Sequence, residues 1–262
     1  MGTKIGVIGV GTISTAIVKG FNKDGLSENE FVLCPFDLEK AKVLTDKFSN
    51  VTVATSNQDV LDKSEWVIIA IIPSIGREVL TDLKFREDHR VINLMTDHKL
   101  EDVAAMIGKT KVLVRMVPLP FIVHRIGPIV VYPPSPDTEQ LFSPLGDIVS
   151  VESEKAMETM SVTTALMSPF YQLMNDVIKW GIKEGLTTEQ AVQYSASFFS
   201  ALLFMIKGRD VDGINKLVND MTPGGINEMA LMLIREVGGF DLWPESLDKV
   251  MDRIKERRNS KA

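Results

Sequence analysis

The sequence predicts an α/β protein in two parts: an N-terminal parallel sheet over residues 1–153 and a C-terminal all-α domain over 154–262. Three observations carry this. A short apolar run, Ile5 to Ile8, meets a glycine-rich turn and then an apolar-periodic segment that includes Ile13, Ala16, Ile17 and Phe21. Apolar runs and helix-period segments then alternate as far as Met116, as repeated βα units with right-handed crossovers do. From Glu154 onward the pattern is helical alone.

The opening stretch reads strand, tight turn, helix. Gly9 turns where a side chain would clash, Gly11 lets the backbone come close to a diphosphate, and Ser14 is a small residue that lets helix and strand pack closely. A diphosphate would sit on the free N–H groups of the helix N-terminus, which makes this a Rossmann-type dinucleotide site. Candidate strands follow at Phe31–Cys34, Val51–Ala54, Trp66–Ile72, Val91–Leu94 and Lys111–Met116. Trp66–Ile72 is apolar throughout, as suits a strand covered on both faces. Helices are expected at Leu38–Phe48 and Leu100–Ile107, with a short helical link at Val60 and Leu61. Ligands of such sheets bind beyond the carboxyl ends of the strands, so the loops after Ile8, Cys34, Ile72, Leu94 and Met116 are the ones to watch. Asp37 stands near the end of the second strand, where NAD enzymes place an acidic residue, but it also suits a helix N-cap, the reading preferred here. No Arg lies near it, and the choice between NAD and NADP stays open.

Pro133-Pro134-Ser135-Pro136 is a break, and Ile148–Val151 reads as one last strand. A long helix is expected over Met157–Glu184. Thr187-x-x-Gln190 forms a capping box that opens the next, with Ala191, Ser195, Phe198, Phe199, Leu202 and Met205 on its apolar positions. Gly208 stops it. Shorter helical pieces lie at Ile214–Val218, Asn227–Val237 and Pro244–Arg258. Thr164–Phe204 is too apolar for helices exposed on one side, so these helices are expected to build a homodimer or higher homo-oligomer; packing within one subunit is the alternative, which periodicity does not separate. The basic tail, Arg253–Lys261, reads as a solvated helix end favoured by the helix dipole.

The chain has 262 residues, 45% of them hydrophobic and 24% charged, the proportions of an ordinary globular protein. A net charge of −6 argues against a general nucleic-acid binder. With one cysteine, Cys34, no intramolecular disulfide forms, and His89, His98 and His124 show no metal-ligand spacing. No run approaches the ~20 apolar residues of a membrane span. No leader-like segment precedes the first strand, so a cytoplasmic protein is the expectation. No G-x-S-x-G elbow, Walker lysine or acid–base pair can be named, and the catalytic residues stay unknown. In Asp220–Phe240, Thr222-Pro223-Gly224-Gly225 runs straight into a helix. Its N–H groups, with Thr222 and Asn227, would suit a substrate carboxylate; a Pro-Gly loop with nothing bound fits equally well.

Taken together, these segments resemble the pyrroline-5-carboxylate reductases, the enzymes of the last step of proline biosynthesis, over nearly the whole chain. Ile5–Ser14 is similar to the family's dinucleotide turn, and Ala70-Ile71-Ile72-Pro73 to its A-V-K-P. Arg115-Met116-Val117-Pro118-Leu119-Pro120 with Gly127 is similar to R-x-M-P-N-T-P, and Ser168-Pro169-Phe170-Tyr171 to G-P-A-Y. Gly185-Leu186-Thr187 with Ala191 resembles G-L-x-x-x-x-A. Thr222–Gly225 through Gly238-Gly239-Phe240 resembles S-P-G-G-T-T and its closing G-G-F. The departures fall where the chemistry would be: Ile72 replaces a Lys beside the nicotinamide, the Asn of M-P-N-T-P is missing, and Ile226-Asn227 replaces Thr-Thr.

The resemblance implies a reductase that uses NADP or NAD to reduce the C=N bond of a small imine acid, pyrroline-5-carboxylate to proline. Ile8, Gly9, Val10, Gly11, Thr12 and Ile13 would hold the diphosphate. Ala70, Ile71, Ile72 and Pro73 would line the nicotinamide ribose. Pro118, Thr222, Gly224, Gly225 and Asn227 would shape the substrate side, with no metal. A same-fold reductase of another imine or carbonyl compound, and a dinucleotide-binding protein without catalysis, stand as alternatives.

Overall fold

The computed structural model describes residues 2–96 and 98–259, the last three by backbone only. Arg257, Arg258 and Lys261 of the basic tail therefore lie outside the described side chains. The chain divides into two compact units, Met1–Met160 and Ser161–Ala262.

The first unit is built on eight strands: β1 (Lys4–Ile8), β2 (Glu30–Leu33), β3 (Val51–Val53), β4 (Trp66–Ile69), β5 (Arg90–Asn93), β6 (Val112–Pro118), β7 (Pro128–Tyr132) and β8 (Asp147–Ser150). Its helices are α1 (Thr12–Phe21), α2 (Leu38–Lys47), α3 (Asn57–Asp62), α4 (Gly76–Thr81), α5 (Leu100–Ile107), α6 (Pro136–Phe142) and α7 (Glu154–Thr163), the last crossing the division. The strands lie in the order β3-β2-β1-β4-β5-β6-β7-β8. Every neighbouring pair is parallel except β6 and β7. The chain therefore starts at the middle of the sheet, winds out to β3, and crosses back over β1 to β4. That reversal opens a crevice at the carboxyl ends of β1 and β4, where such sheets bind ligands. The core is the apolar filling of this sheet: all four residues of β4 are buried, as are Ile5, Val7 and Ile8 of β1 and Ile17 and Val18 of α1.

Three expectations need correction. The apolar run from Trp66 does not stay in the sheet to Ile72. β4 ends at Ile69, opposite Ile8, because its partner strand leaves at Gly9 and the ladder has nothing further to pair with. Ile72 emerges 68% exposed, and Pro73 opens a 3-10 turn. The helix expected over Met157–Glu184 is two helices, α7 and α8 (Met167–Lys183), joined by a 3-10 turn at Thr164–Leu166. Pro169 has no N–H to give the carbonyl one turn back and its ring crowds that carbonyl, so it sits in the first turn of a new helix. The Pro-rich break hides a helix: Ser135 caps α6, accepting the Thr138 N–H, with Pro136 at its first position. Strand β7, which no pattern announced, turns the sheet's far edge antiparallel.

The second unit is helical: α8, α9 (Thr188–Ile206), α10 (Val211–Asn219), α11 (Ile226–Glu236) and α12 (Leu242–Asn259). The capping box forms: Thr187 Oγ1 accepts the Gln190 N–H at 3.2 Å and Gln190 Oε1 accepts the Thr187 N–H at 3.0 Å. Ala191 and Ser195 of α9 are buried, whereas Phe198, Leu202 and Met205 are exposed on the single chain. Among the described residues no helix is long and apolar enough to cross a membrane.

Candidate functional site

The crevice is shaped first by Gly9. Its φ is +102°, and a Cβ there would lie 2.5 Å from the Ala70 carbonyl oxygen, so only glycine allows the β1 turn to press against the end of β4. Its N–H donates to Cys34 Sγ at 3.1 Å, which ties the turn to the end of β2. Gly11 has the opposite surroundings: nothing lies within 4 Å of where a Cβ would be. Its side chain is missing toward open space, which is what a ligand approaching the backbone requires.

Ser14 does more than pack. Its buried hydroxyl donates to the Gly9 carbonyl at 2.7 Å and accepts the Gly11 N–H at 2.9 Å, stapling the turn to the first turn of α1. The amides of Thr12 and Ile13 have no carbonyl one turn back within the helix and carry its positive dipole end.

In front of these amides is a cleft of about 260 Å³. It brings together Gly11, Thr12 and Ile13 of the turn, Ala70 and Ile71 after β4, and Pro118 at the end of β6. Ile8, Gly9, Val10, Ile72 and Pro73 lie outside its lining. Ile8 and Val10 point into the core, where they are 1% and 5% exposed. Leu94, Thr96, Met116 and Val117 also line it; none is a candidate site residue of the sequence, although the loops after Leu94 and Met116 are ones to watch and Met116-Val117 lies in a resembling motif. Asn93 shapes that loop by accepting the Met95 N–H at 3.0 Å. Arg115, buried in β6, reaches across to donate to the Thr96 carbonyl at 2.8 Å.

Beyond Gly11 a second cavity of about 430 Å³ continues along α1 toward α2, with Thr15, Lys19, Lys40 and Val43 on its wall. Asp37, at a φ of +61°, is the N-cap of α2 as expected. Its carboxylate accepts the Lys40 N–H at 3.3 Å and pairs with the Lys40 ammonium, which holds its pKa below the usual carboxylate value. A third cavity, about 730 Å³, opens at the other end of the sheet, by Thr3, Glu65 and Arg90 at the strand starts. Its arginines are committed to ion pairs, Arg90 with Asp137 and Arg125 with Asp24, and it is remote from the glycine turn.

In the second unit Thr222, Gly224, Gly225 and Asn227 form a loop running into α11. The Gly225 N–H donates to the Thr222 carbonyl at 2.9 Å, and Gly224 takes a φ of +71°. The amide expected to wait for an anion already has one: Gly224 N–H donates to Glu228 Oε2 at 2.6 Å. Ile226 is 85% exposed. Among the described residues no three His, Cys, Asp or Glu side chains gather as a metal site.

The family model described as "NADP oxidoreductase coenzyme F420-dependent" matches residues 4–97, the half-sheet that carries the turn. A pyrroline-5-carboxylate reductase of Aquifex aeolicus (strain VF5) is 20% identical over 262 residues, covering 96% of each chain. The solved pyrroline-5-carboxylate reductase of Streptococcus pyogenes shares the fold with a TM-score of 0.80 at 23% identity, over 97% of this chain and 99% of its own. That of Plasmodium falciparum, solved with NADP bound, does so with a TM-score of 0.77 at 17% identity over 97% of each chain.

Proposed function

We propose that this chain, a divergent member of the pyrroline-5-carboxylate reductase family, reduces the C=N bond of pyrroline-5-carboxylate to give proline, with reduced NADP or NAD as the hydride donor. One observation carries the reading: a single cleft gathers the glycine turn, the end of β4 and Pro118. The residues present suit the cofactor. Gly11 leaves open the space a Cβ would fill, and the buried Thr15 hydroxyl beside it lacks a hydrogen-bond partner.

In this reading the Thr12 and Ile13 amides bind the diphosphate, and Ser14 keeps the turn rigid so that they need not reorganise on binding. Bound at this site, a reduced nicotinamide supplies the hydride that the imine carbon accepts. Ala70, Ile71 and Met116 give the cleft an apolar wall that excludes water from one face of the ring, and Pro118 limits where the imine can lie. By the resemblance, Thr222, Gly224, Gly225 and Asn227 are the residues proposed for the substrate carboxylate. The imine nitrogen is basic enough to be protonated from water, so no side chain need act as a strong acid. The exposed apolar helices of the second unit make a homodimer part of the proposal, and the cytoplasm its compartment.

A second reading has its own support. Ile226 offers no hydrogen bond, and Glu228 already sits on the Gly224 amide. A carboxylate there disfavours a second carboxylate, which points to an imine or carbonyl substrate without one. Following the loss of reduced-nicotinamide absorbance with pyrroline-5-carboxylate, and with uncharged cyclic imines, separates the two. Turnover of the imine acid supports the first reading. Turnover of uncharged imines alone supports the second. Binding of dinucleotide with no turnover across the panel leaves a binding protein without catalysis.

A further inference from the structure

We infer that Arg115 is a positioning residue for the proposed reduction. From inside β6 it holds the Leu94–Thr96 loop in one arrangement with Met116 and Pro118, and so governs how the reactants lie in the cleft rather than how tightly they bind. The inference rests on the cleft being the reaction site, as proposed above, and adds what sets its geometry. An arginine is out of place here. It is buried in a strand whose Val114 and Met116 belong to the apolar core, and charged side chains are seldom buried so fully. An apolar side chain of similar volume often serves stability as well as a buried charge does, so stability alone does not call for it. What the guanidinium does is reach the loop of the next strand, where Nη2 donates to the Thr96 carbonyl at 2.8 Å. Its register partner in β5 is Asn93, also fully buried, whose Oδ1 accepts the Met95 N–H at 3.0 Å. Two buried polar side chains, side by side in the sheet, thus fix the backbone of a loop whose Leu94 and Thr96 line the cleft.

The loop is fastened on its other flank as well. His98 Nε2 lies 2.9 Å from the Pro73 carbonyl, and a Cβ on Gly76 would lie 2.8 Å from Met95 Sδ, so the loop packs closely on the turn that follows Ala70 and Ile71. Through Arg115 it is tied to Met116 and Pro118, which continue the same strand into the cleft. The parts of the lining after β4, β5 and β6 therefore keep one spacing, and Arg115 is the tie on the β6 side. Hydride transfer needs donor and acceptor carbons in close, aligned contact, and a misplacement of about 1 Å can cost about 100-fold. Cofactor affinity, by contrast, draws on the amides of the glycine turn, which take no part in these contacts.

Arg115→Met, made in the full chain, keeps an unbranched side chain at this position and removes its donors. Without any ligand, amide exchange should quicken about tenfold over Leu94–Thr96, the size of one charge-assisted hydrogen bond, and stay as in the parent over Ile5–Ser14. Calorimetric affinity for the reduced nicotinamide nucleotide should stay within about twofold. The single-turnover rate of hydride transfer should fall by about 10- to 100-fold, with KM for the imine little changed. Arg115→Lys, which offers a point charge without the planar fork, should fall in between. It carries the same comparison should Arg115→Met fail to fold. A hydride-transfer rate within about twofold of the parent overturns the inference. So does a loss of cofactor affinity as large as the loss in rate, or unchanged exchange at Leu94–Thr96, since Arg115 would then be a core residue and nothing more. A parent that binds the cofactor but reduces no imine removes the reaction proposed above and the inference with it, a failure seen without any variant.

Discussion

Gly9 and Gly11, two residues apart, do opposite jobs, and their alanine variants separate folding from binding. At Gly9 an alanine meets both a backbone conformation that L residues avoid and a carbonyl oxygen 2.5 Å from its Cβ. The backbone cost alone is about 1–2 kcal/mol, so Gly9→Ala should melt lower and bind dinucleotide poorly because the turn has moved. At Gly11 the φ is −102° and the space is open, so the fold tolerates a methyl group with a change within about 0.5 kcal/mol. That methyl group would stand where the proposed site has a diphosphate approach. Gly11→Ala is therefore expected to melt like the parent and to lose nicotinamide nucleotide binding, read by thermal shift with and without cofactor.

His89 makes a second prediction at this scale. It is fully buried; its Nδ1 accepts the Arg86 N–H at 3.0 Å, and its Nε2 lies 3.0 Å from the Leu61 carbonyl, which fixes a neutral ring with the proton on Nε2. Burial first, and the Arg86 charge second, lower its pKa below the ordinary 6.5. Above that value the ring is neutral whether the chain is folded or not, and stability is full. As pH falls below it the unfolded chain takes up a proton that the folded chain refuses, so stability drops until the lowered folded pKa is passed. Denaturant titrations from pH 8 to 5.5 should show this decline, and His89→Gln should flatten it from a lower starting stability. A parent curve flat across that window would contradict the assignment.

At the scale of elements, what the sequence makes legible is what depends on neighbours in the chain. The Ile5–Ser14 turn, helix α5 and the Thr187–Gln190 box all rest on residues within a few positions of one another, and each forms where its residues predict. The run Ala70 to Ile72 after β4 shows the limit: where a strand stops is set by where its partner turns away, here at Gly9, about sixty residues earlier in the chain. Strand β7 was hidden for the same reason, since its pairing with β6 depends on a 3-10 turn at Pro120–His124. In the site, the glycine turn was readable. The loop after Leu94 was marked by its strand end, but that Leu94 and Thr96 face the cleft was not readable, because the sheet alone brings them there. The Ser14 staple had a signal, a hydroxyl three residues after the N-cap. The capping box allows a clean test. Removing the Thr187 hydroxyl leaves the Gln190 amide without its acceptor, so Thr187→Ala should cost about 1 kcal/mol in the second unit's unfolding, while Thr187→Ser restores most of it. No loss in Thr187→Ala would mean that α9 is held by something other than its cap.

For the whole molecule, the two units differ in how they meet the hydrophobic requirement. The first is organised around a buried sheet. In the second, among the described residues, Val162 and Ala191 are the only apolar side chains counted as buried. Trp180, Tyr194 and Phe204 are 64%, 70% and 76% exposed, and Tyr194 stacks on the half-exposed Phe198 at 6.1 Å between ring centres. Leu202, Leu203 and Met205 extend the same apolar surface. Monomeric proteins rarely leave a continuous apolar patch larger than a few hundred Å². The homodimer proposed above would cover this surface, since a second copy of the chain would supply a matching one by symmetry. Sedimentation velocity should accordingly find a dimer, or a multiple of one, at micromolar concentration. A charge introduced on that surface, Leu202→Glu, should shift the population toward monomer and lower the melting temperature at the same time, because an interface that completes a core stabilises by mass action. A stable monomer in the parent would instead require that these helices cover one another, and Leu202→Glu would then destabilise without changing the sedimentation coefficient.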